Sequence, residues 1–340
     1  MAMRDRATRD RTASERTARD RLSGAAALAL ASLMIVSPAP AQPRGQPVRI
    51  VVPSVAGGAA DAVARLMGQR LQEDTGVTVL IENKAGGLFA PALRDVVNSA
   101  PDGTTIFMVT TSVLMSQVLH PEIPYDLTRD YTPIIEVATG PLILVGRKDL
   151  PFTTVAGLVA HAKKNPGKLV FASPGGNGSA FSLAAMLLMS TAGIEALNVP
   201  YKSAAPALND LLGGHVDLMF DAMPVEVGQV QARNVLGFMV TGPTRVATLP
   251  QVPSAPEAGM PQLDVAGWFG FLAPPKTPAA VVMPIHDAMA KALTRGELIA
   301  QLEAQGVAPV GGTPQDWGAY LERERVRWSA FVAEHGIKAE

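Results

Sequence analysis

Val48-Arg49-Ile50-Val51-Val52-Pro53-Ser54-Val55-Ala56-Gly57-Gly58-Ala59-Ala60-Asp61 decides the fold. Its first five residues form a short apolar run closed by proline, which predicts a strand at 48–52. From Ala59 the period changes: Val63, Leu66, Met67 and Leu71 fall on one helical face, and Gly76 stands just beyond the last of them. That pattern predicts a helix over 59–74. Strand, glycine-rich turn and helix in direct succession open a parallel β/α unit.

The same succession repeats outward from this stretch. Strands are expected at 77–81, 105–109 and 142–145, with a short helix over 91–98. A second set follows: helix 154–164, strand 169–172, helix 179–191, strand 197–200, helix 206–212, strand 216–220, and a strand at 235–240 after another helix. A strand at 268–272 precedes helices over 279–294, 297–305 and 314–335. Two β/α sets with a late helical return predict two lobes joined by more than one crossing segment, the geometry of a hinge and a cleft. The expected division is 47–143 plus 267–340 for one lobe and 144–266 for the other. The 340-residue length suits two such lobes.

Before the first strand the chain reads differently. Residues 1–21 hold seven arginines against four acidic residues, and 22–36 is a 15-residue apolar run. Ala39-Pro40-Ala41 follows. A basic region, a short apolar region and an A-x-A site make a secretory signal peptide over 1–41, with Gln42 as the mature N-terminus. The expected location is therefore the periplasm. Hydrophobic residues make up 48% of the chain and charged residues 17%, which favours a packed core. A net charge of −1 gives no reason to expect nucleic acid as a partner. With no cysteine, thiolate chemistry and Cys-based metal sites are excluded. The five histidines form no H-x-x-x-H or H-x-H pair and no G-x-S-x-G elbow is present, so no metal, cofactor or enzymatic activity is expected.

Ligands of open α/β sheets sit beyond the carboxyl ends of the strands. Two stretches there could cradle an anion on backbone N–H groups and a helix N-terminus. One is Ser54 to Asp61, including Ala56, Gly57, Gly58 and Ala60. The other is Ser173 to Ser179, including Asn177 and Gly178. Either alone reads equally as an ordinary tight turn. Their matching positions in the two sets suggest a shared carboxylate. Asp221, at the end of 216–220, could meet a ligand ammonium or hydroxyl, or cap the helix that follows.

From Pro47 onward the chain resembles the Bug receptors, the substrate-binding subunits of tripartite tricarboxylate transporters. The resemblance is carried by Val51-Val52-Pro53 with Gly57-Gly58 and Asp61, by Ile81-Glu82-Asn83-Lys84, Ala100-Pro101-Asp102-Gly103 and Pro124-Tyr125-Asp126-Leu127. It continues through Asn165-Pro166-Gly167-Lys168, Val199-Pro200-Tyr201-Lys202, Asp210 to Asp221, Leu249-Pro250 and Trp268-Phe269-Gly270. It implies a two-lobed α/β periplasmic-binding-protein (Venus-flytrap) fold with a small organic carboxylate in the cleft between the lobes. It also implies separately encoded membrane subunits as partners, and adds Thr110, Thr111 and Ser112 to the ligand-binding residues. The expected receptor is a monomer. A ligand sensor feeding a signalling receptor is the alternative role.

The chain departs from the family pattern at the cleft. Ser54, Ala56 and Ala60 stand where the family usually has Phe, Pro and Thr, and Ser182 falls where His is common. Ala85 to Ala92 replaces a glycine-rich stretch. Fewer donors and more apolar surface suggest a monocarboxylate or an aromatic acid, placed by Phe89 or Phe181, unless both rings face the core.

Overall fold

The computed structural model describes residues 46–334. The expected signal peptide at 1–41 lies outside the described residues. The elements are β1 (Val48–Val52), α1 (Ala59–Thr75), β2 (Val79–Asn83), a 3-10 turn (Gly87–Phe89), α2 (Ala90–Val97), β3 (Thr105–Thr110), α3 (Thr111–Leu119) and β4 (Thr132–Arg147). Then come α4 (Val155–Lys164), β5 (Val170–Pro174), α5 (Ala180–Ala192), β6 (Leu197–Tyr201), α6 (Ala204–Leu212), β7 (Leu218–Ala222), α7 (Met223–Gln231) and β8 (Val235–Val240). The chain finishes with β9 (Ala266–Ala273), α8 (Ala279–Leu293), α9 (Gly296–Ala304), β10 (Ala308–Gly311) and α10 (Pro314–Glu334).

The strands lie in the order β2-β1-β3-β9-β4-β7-β5-β6, with β8 and β10 also paired to β4. β4 is the shared member. Up to Pro141 it pairs antiparallel with β9 and β10; from Leu142 it pairs with β7 and β8. On one side of this changeover β1 sits between β2 and β3, all parallel. On the other, β5 sits between β6 and β7, all parallel. Each half therefore has its first strand flanked by the next two. At such a switch point the connecting loops part to opposite faces and leave a crevice at the strands' carboxyl ends.

Both faces of the sheet are covered, which explains the unbroken apolar runs. Ile50, Val52, Ile106 and Met108 join one core with Met67 of α1 and Met289 of α8. Val51, Phe107 and Val109 point the other way, into a second core with Trp268, Trp317 and Trp328. Trp317 donates its indole N–H to the Phe271 carbonyl at 3.2 Å and meets Trp268 edge-on. Gly270 is the spacer beneath it: a Cβ there would lie 2.3 Å from the Trp317 ring.

Three sequence expectations need correction. β4 has 16 residues, whereas only 142–145 read as strand. Pro133, Gly140 and Pro141 hid the rest, because proline and glycine normally mark strand ends. Residues 111–119 carry a helix and 308–311 a strand that no periodicity announced. β2 starts at Val79 in place of 77, where the Gln72 side chain accepts the Val79 N–H at 3.1 Å.

Several motif residues act as scaffolding. The Asp217 carboxylate takes Arg147 Nε at 2.8 Å and the Val170 N–H at 2.9 Å, fixing β4, β5 and β7 together. Tyr201 donates its hydroxyl to Asp210 at 2.6 Å, joining β6 to α6. Arg49 of β1 pairs with Glu82 and Asp95, both at 2.9 Å.

Candidate ligand site

A cavity of about 120 Å³ lies where the carboxyl ends of β1, β3, β5 and β7 meet. Four helices present their first turns to it: α1 through Gly58, Ala59 and Ala60; α3 through Thr110, Thr111 and Ser112; α5 through Ala180 and Phe181; and α6 through Ser203, Ala204 and Ala205; the N-terminus of α7 borders it through its N-cap Ala222 and the preceding Asp221. Gly58, Thr110, Ser203 and Ala222 are the N-caps of α1, α3, α6 and α7, and none makes a side-chain cap hydrogen bond. A first turn leaves N–H groups without intrahelical acceptors and carries partial positive charge. Several aimed at one space make a strongly anion-favouring site.

Of the residues the sequence singled out, Ser54, Gly58, Ala60, Thr110, Thr111, Ser112 and Asp221 line this cavity. The others do not, and the structure gives each of those with a polar side chain a supporting contact. Asp61 is buried and accepts Gly57 N–H at 2.9 Å, Arg65 Nε at 2.9 Å and Asn83 Nδ2 at 3.0 Å. It clips the first loop to α1 and β2 at the back. Burial pushes its carboxyl up, but the bonds from Arg65, Gly57 and Asn83 outweigh this and hold it below the usual aspartate range. Ala56 and Gly57 form the exposed tip of that loop. In the second loop Asn198 is the organiser. It bonds the Ser173 hydroxyl, donates to Asn177 Oδ1 at 3.2 Å and donates to Ser182 Oγ at 3.1 Å. Ser179 caps α5 by accepting Ser182 N–H at 3.2 Å. Gly178 is buried against His120 and Ser116.

The two halves touch across the cavity. Ala180 N–H, at the start of α5, donates to Ser112 Oγ, at the start of α3, at 3.3 Å. Thr111 Oγ1 donates to the Ala266 carbonyl at 3.1 Å and accepts Trp268 N–H at 2.9 Å. Thr111 Oγ1 is thus fully used within the protein, while Ser112 Oγ accepts one bond and keeps its O–H. Ser54 Oγ is covered and has no partner.

Asp221 and Glu226 are both fully covered, without a neighbouring cation. Asp221 Oδ1 accepts Ala222 N–H at 2.7 Å, while its Oδ2 and both Glu226 oxygens have no partner. Burial pushes both carboxyls up, and the charge on Asp221 pushes Glu226 further. The upward push on Asp221 favours its neutral form and so lessens the repulsion an anion meets here.

Sequence reasoning missed Lys202 to Ala205, Gly86, Leu142, and Gly267 to Phe269 in the wall. Ser203 follows β6 and opens α6, the same strand-to-helix grammar as the other two loops, but without the glycines that drew attention to them. Phe89 and Phe181 both line the cavity and both also pack against the hydrophobic core. Among the described residues no cluster of His, Asp and Glu could hold a metal ion.

Similarity to known proteins agrees with this geometry. BugT of Bordetella pertussis is 30% identical over 296 residues, covering 86% of this chain and 90% of BugT. An R. palustris protein solved with adipate is 33% identical with a TM-score of 0.82, covering 86% of this chain and 98% of that one. MatC of Rhodopseudomonas palustris, solved with bound malate, is 28% identical with a TM-score of 0.80, covering 84% and 98%. The model of the tripartite tricarboxylate transporter family receptors matches residues 63–337, nearly the whole of the two-lobed body, and on that match the chain belongs to this receptor family.

Proposed function

We propose that this chain is a periplasmic receptor that captures a small organic carboxylate between its lobes and passes it to separately encoded membrane subunits of a tripartite tricarboxylate-type transporter. The carrying observation is the convergence of five helix N-termini, four without side-chain caps, on one cavity. The carboxylate sits on the N–H groups of Gly58 to Ala60 from one lobe and Ala204 to Ala205 from the other, with Lys202 adding the only cationic side chain in the wall. Asp221, whose carboxyl burial pushes toward the neutral form, lies beside it. The malate and adipate held by relatives are ligands of this class.

The lobe division that goes with this reading is 47–143 plus 267–340 against 144–266, near the point where β4 changes partners. Ligand favours the closed arrangement because only there do both lobes contact it. Export through cleavage after Ala41, a monomeric state and capture without chemical conversion complete the proposal. Mass spectrometry of small molecules released from the denatured protein, purified from periplasm, tests it. A carboxylic acid recovered unchanged and near stoichiometric is the expected result. Absence of any acid, together with no stabilisation by malate, adipate, citrate or benzoate, overturns it.

A further inference from the structure

The cavity wall is chiefly apolar, and two phenylalanines enter it from opposite lobes: Phe89 after β2 and Phe181 in the first turn of α5. Neither ring stacks on another aromatic ring among the described residues, unlike Trp268, Trp317 and Tyr320, which form one cluster. Phe89 reaches across the cleft. Its ring tip lies 3.9 Å from where a Cβ on Gly175 of the second loop would be. It is held there by an unusual backbone, since Leu88 and Phe89 are both left-handed, at φ 55 and 59. Such conformations cost energy for residues with a Cβ, and they persist where the placement of a side chain is being enforced, typically at ligand clamps.

The charge and size of the site point the same way. The wall holds one lysine, no arginine and no histidine. Of its five hydroxyls, Thr111 both donates and accepts within the protein, and Ser112 accepts the Ala180 N–H. A second or third buried carboxylate would have no arginine or histidine in the wall to pair with, and unpaired carboxylate oxygens are costly. An apolar protein cavity of about 150 Å³ accepts benzene, so 120 Å³ is on the scale of one ring.

We propose that the ligand is a single-ring aromatic monocarboxylic acid whose ring lies between Phe89 and Phe181 while its carboxylate rests on the helix N-termini. This rests on the receptor reading above and adds the substrate class and the two residues that select it. Aromatic faces prefer offset or edge contacts with centroids roughly 4.5–7 Å apart, so one ring from each lobe can hold a planar guest only when the lobes are closed. Phe89 thereby couples selectivity to closure.

The test is isothermal titration of the ligand-stripped receptor with benzoate, 4-hydroxybenzoate, phenylacetate, cyclohexanecarboxylate, malate and adipate. At least one aromatic acid is expected to bind tenfold or more tightly than malate, adipate and cyclohexanecarboxylate, the last matching a single ring in charge and bulk but lacking a π face. Phe181→Leu and, independently, Phe89→Leu should each weaken that acid about tenfold, the scale of one aromatic contact plus lost burial, with thermal unfolding of the free protein unchanged. Two variants guard against one that misfolds. Binding of malate or adipate with no aromatic acid binding overturns the inference and leaves the receptor reading intact. Equal binding of the aromatic acid and cyclohexanecarboxylate, or an aromatic acid bound normally by both variants, also overturns it. Binding of none of the six acids removes both readings.

Discussion

Gly58→Val separates the fold from the site. Gly58 has φ −84 and ψ 172, extended backbone open to any residue. A Cβ there would meet only the Val55 carbonyl at 3.7 Å and Ser54 Oγ at 3.9 Å, both ordinary contacts. Valine is a poorer N-cap than glycine, but it also lowers the entropy of the unfolded chain, so the two effects oppose each other within about 1 kcal/mol. The melting temperature should therefore move by no more than about 4 °C. Gly58 nevertheless lines the cavity at the mouth of α1, where the ligand must approach the backbone. Displacing a carboxylate from one charge-assisted hydrogen bond costs about 1.5–3 kcal/mol, an affinity loss of roughly 10- to 150-fold. Calorimetric titration with whichever of benzoate or adipate the wild type binds more tightly, alongside a thermal melt, measures both. A variant with normal stability and unchanged affinity would refute the placement of the carboxylate at α1. A variant that fails to fold would refute the claim that Gly58 is spatially unconstrained.

Three further substitutions probe the scaffold around the site. Asp61→Asn, which removes the charge shared by Gly57, Arg65 and Asn83, should cost about 1.5–3 kcal/mol in urea unfolding. Because the native Asp61 carboxyl is held below its ordinary 3.8, its contribution is present above that pH and fades as pH falls through the native value, so the variant should show a flatter acid limb. Glu226→Gln should act in the opposite sense: a buried carboxyl pushed up makes the wild type lose stability as pH rises above the ordinary 4.5, so thermal melts at pH 5 and pH 8 should differ less in the variant, and it should melt higher at pH 8. Gly270→Ala would place a Cβ 2.3 Å from the Trp317 ring and 3.0 Å from the Ile135 carbonyl, and should destabilise by about 3 kcal/mol in denaturant unfolding.

The β/α alternation and the two glycine-rich loops were legible because they are local. A strand buried on both faces is apolar along most of its length, as Val48 to Val52 is apart from Arg49, and a helix covering it must repeat its apolar residues every third or fourth position, as α1 does. Gly57-Gly58 and Gly175-Gly176 marked strand-to-helix turns for the same reason. Which residues of those loops line the cavity was not a local matter. Asp61, Ser173 and Asn177 stand in the right loops, but their side chains are taken up by Gly57, Arg65, Asn83 and Asn198. Lys202 and Ser203 reach the cavity from a turn with no glycine to advertise it. The full length of β4 was hidden because Pro133 and Pro141 read as strand breakers until the neighbouring strands are in place. Period, capping and turn chemistry act within a few residues, so the chain alone determined its elements and their alternation. The meeting of Phe89 with Gly175, more than eighty positions away, and of five helix N-termini over one cavity depends on how the sheet curls, and only the tertiary structure decided it.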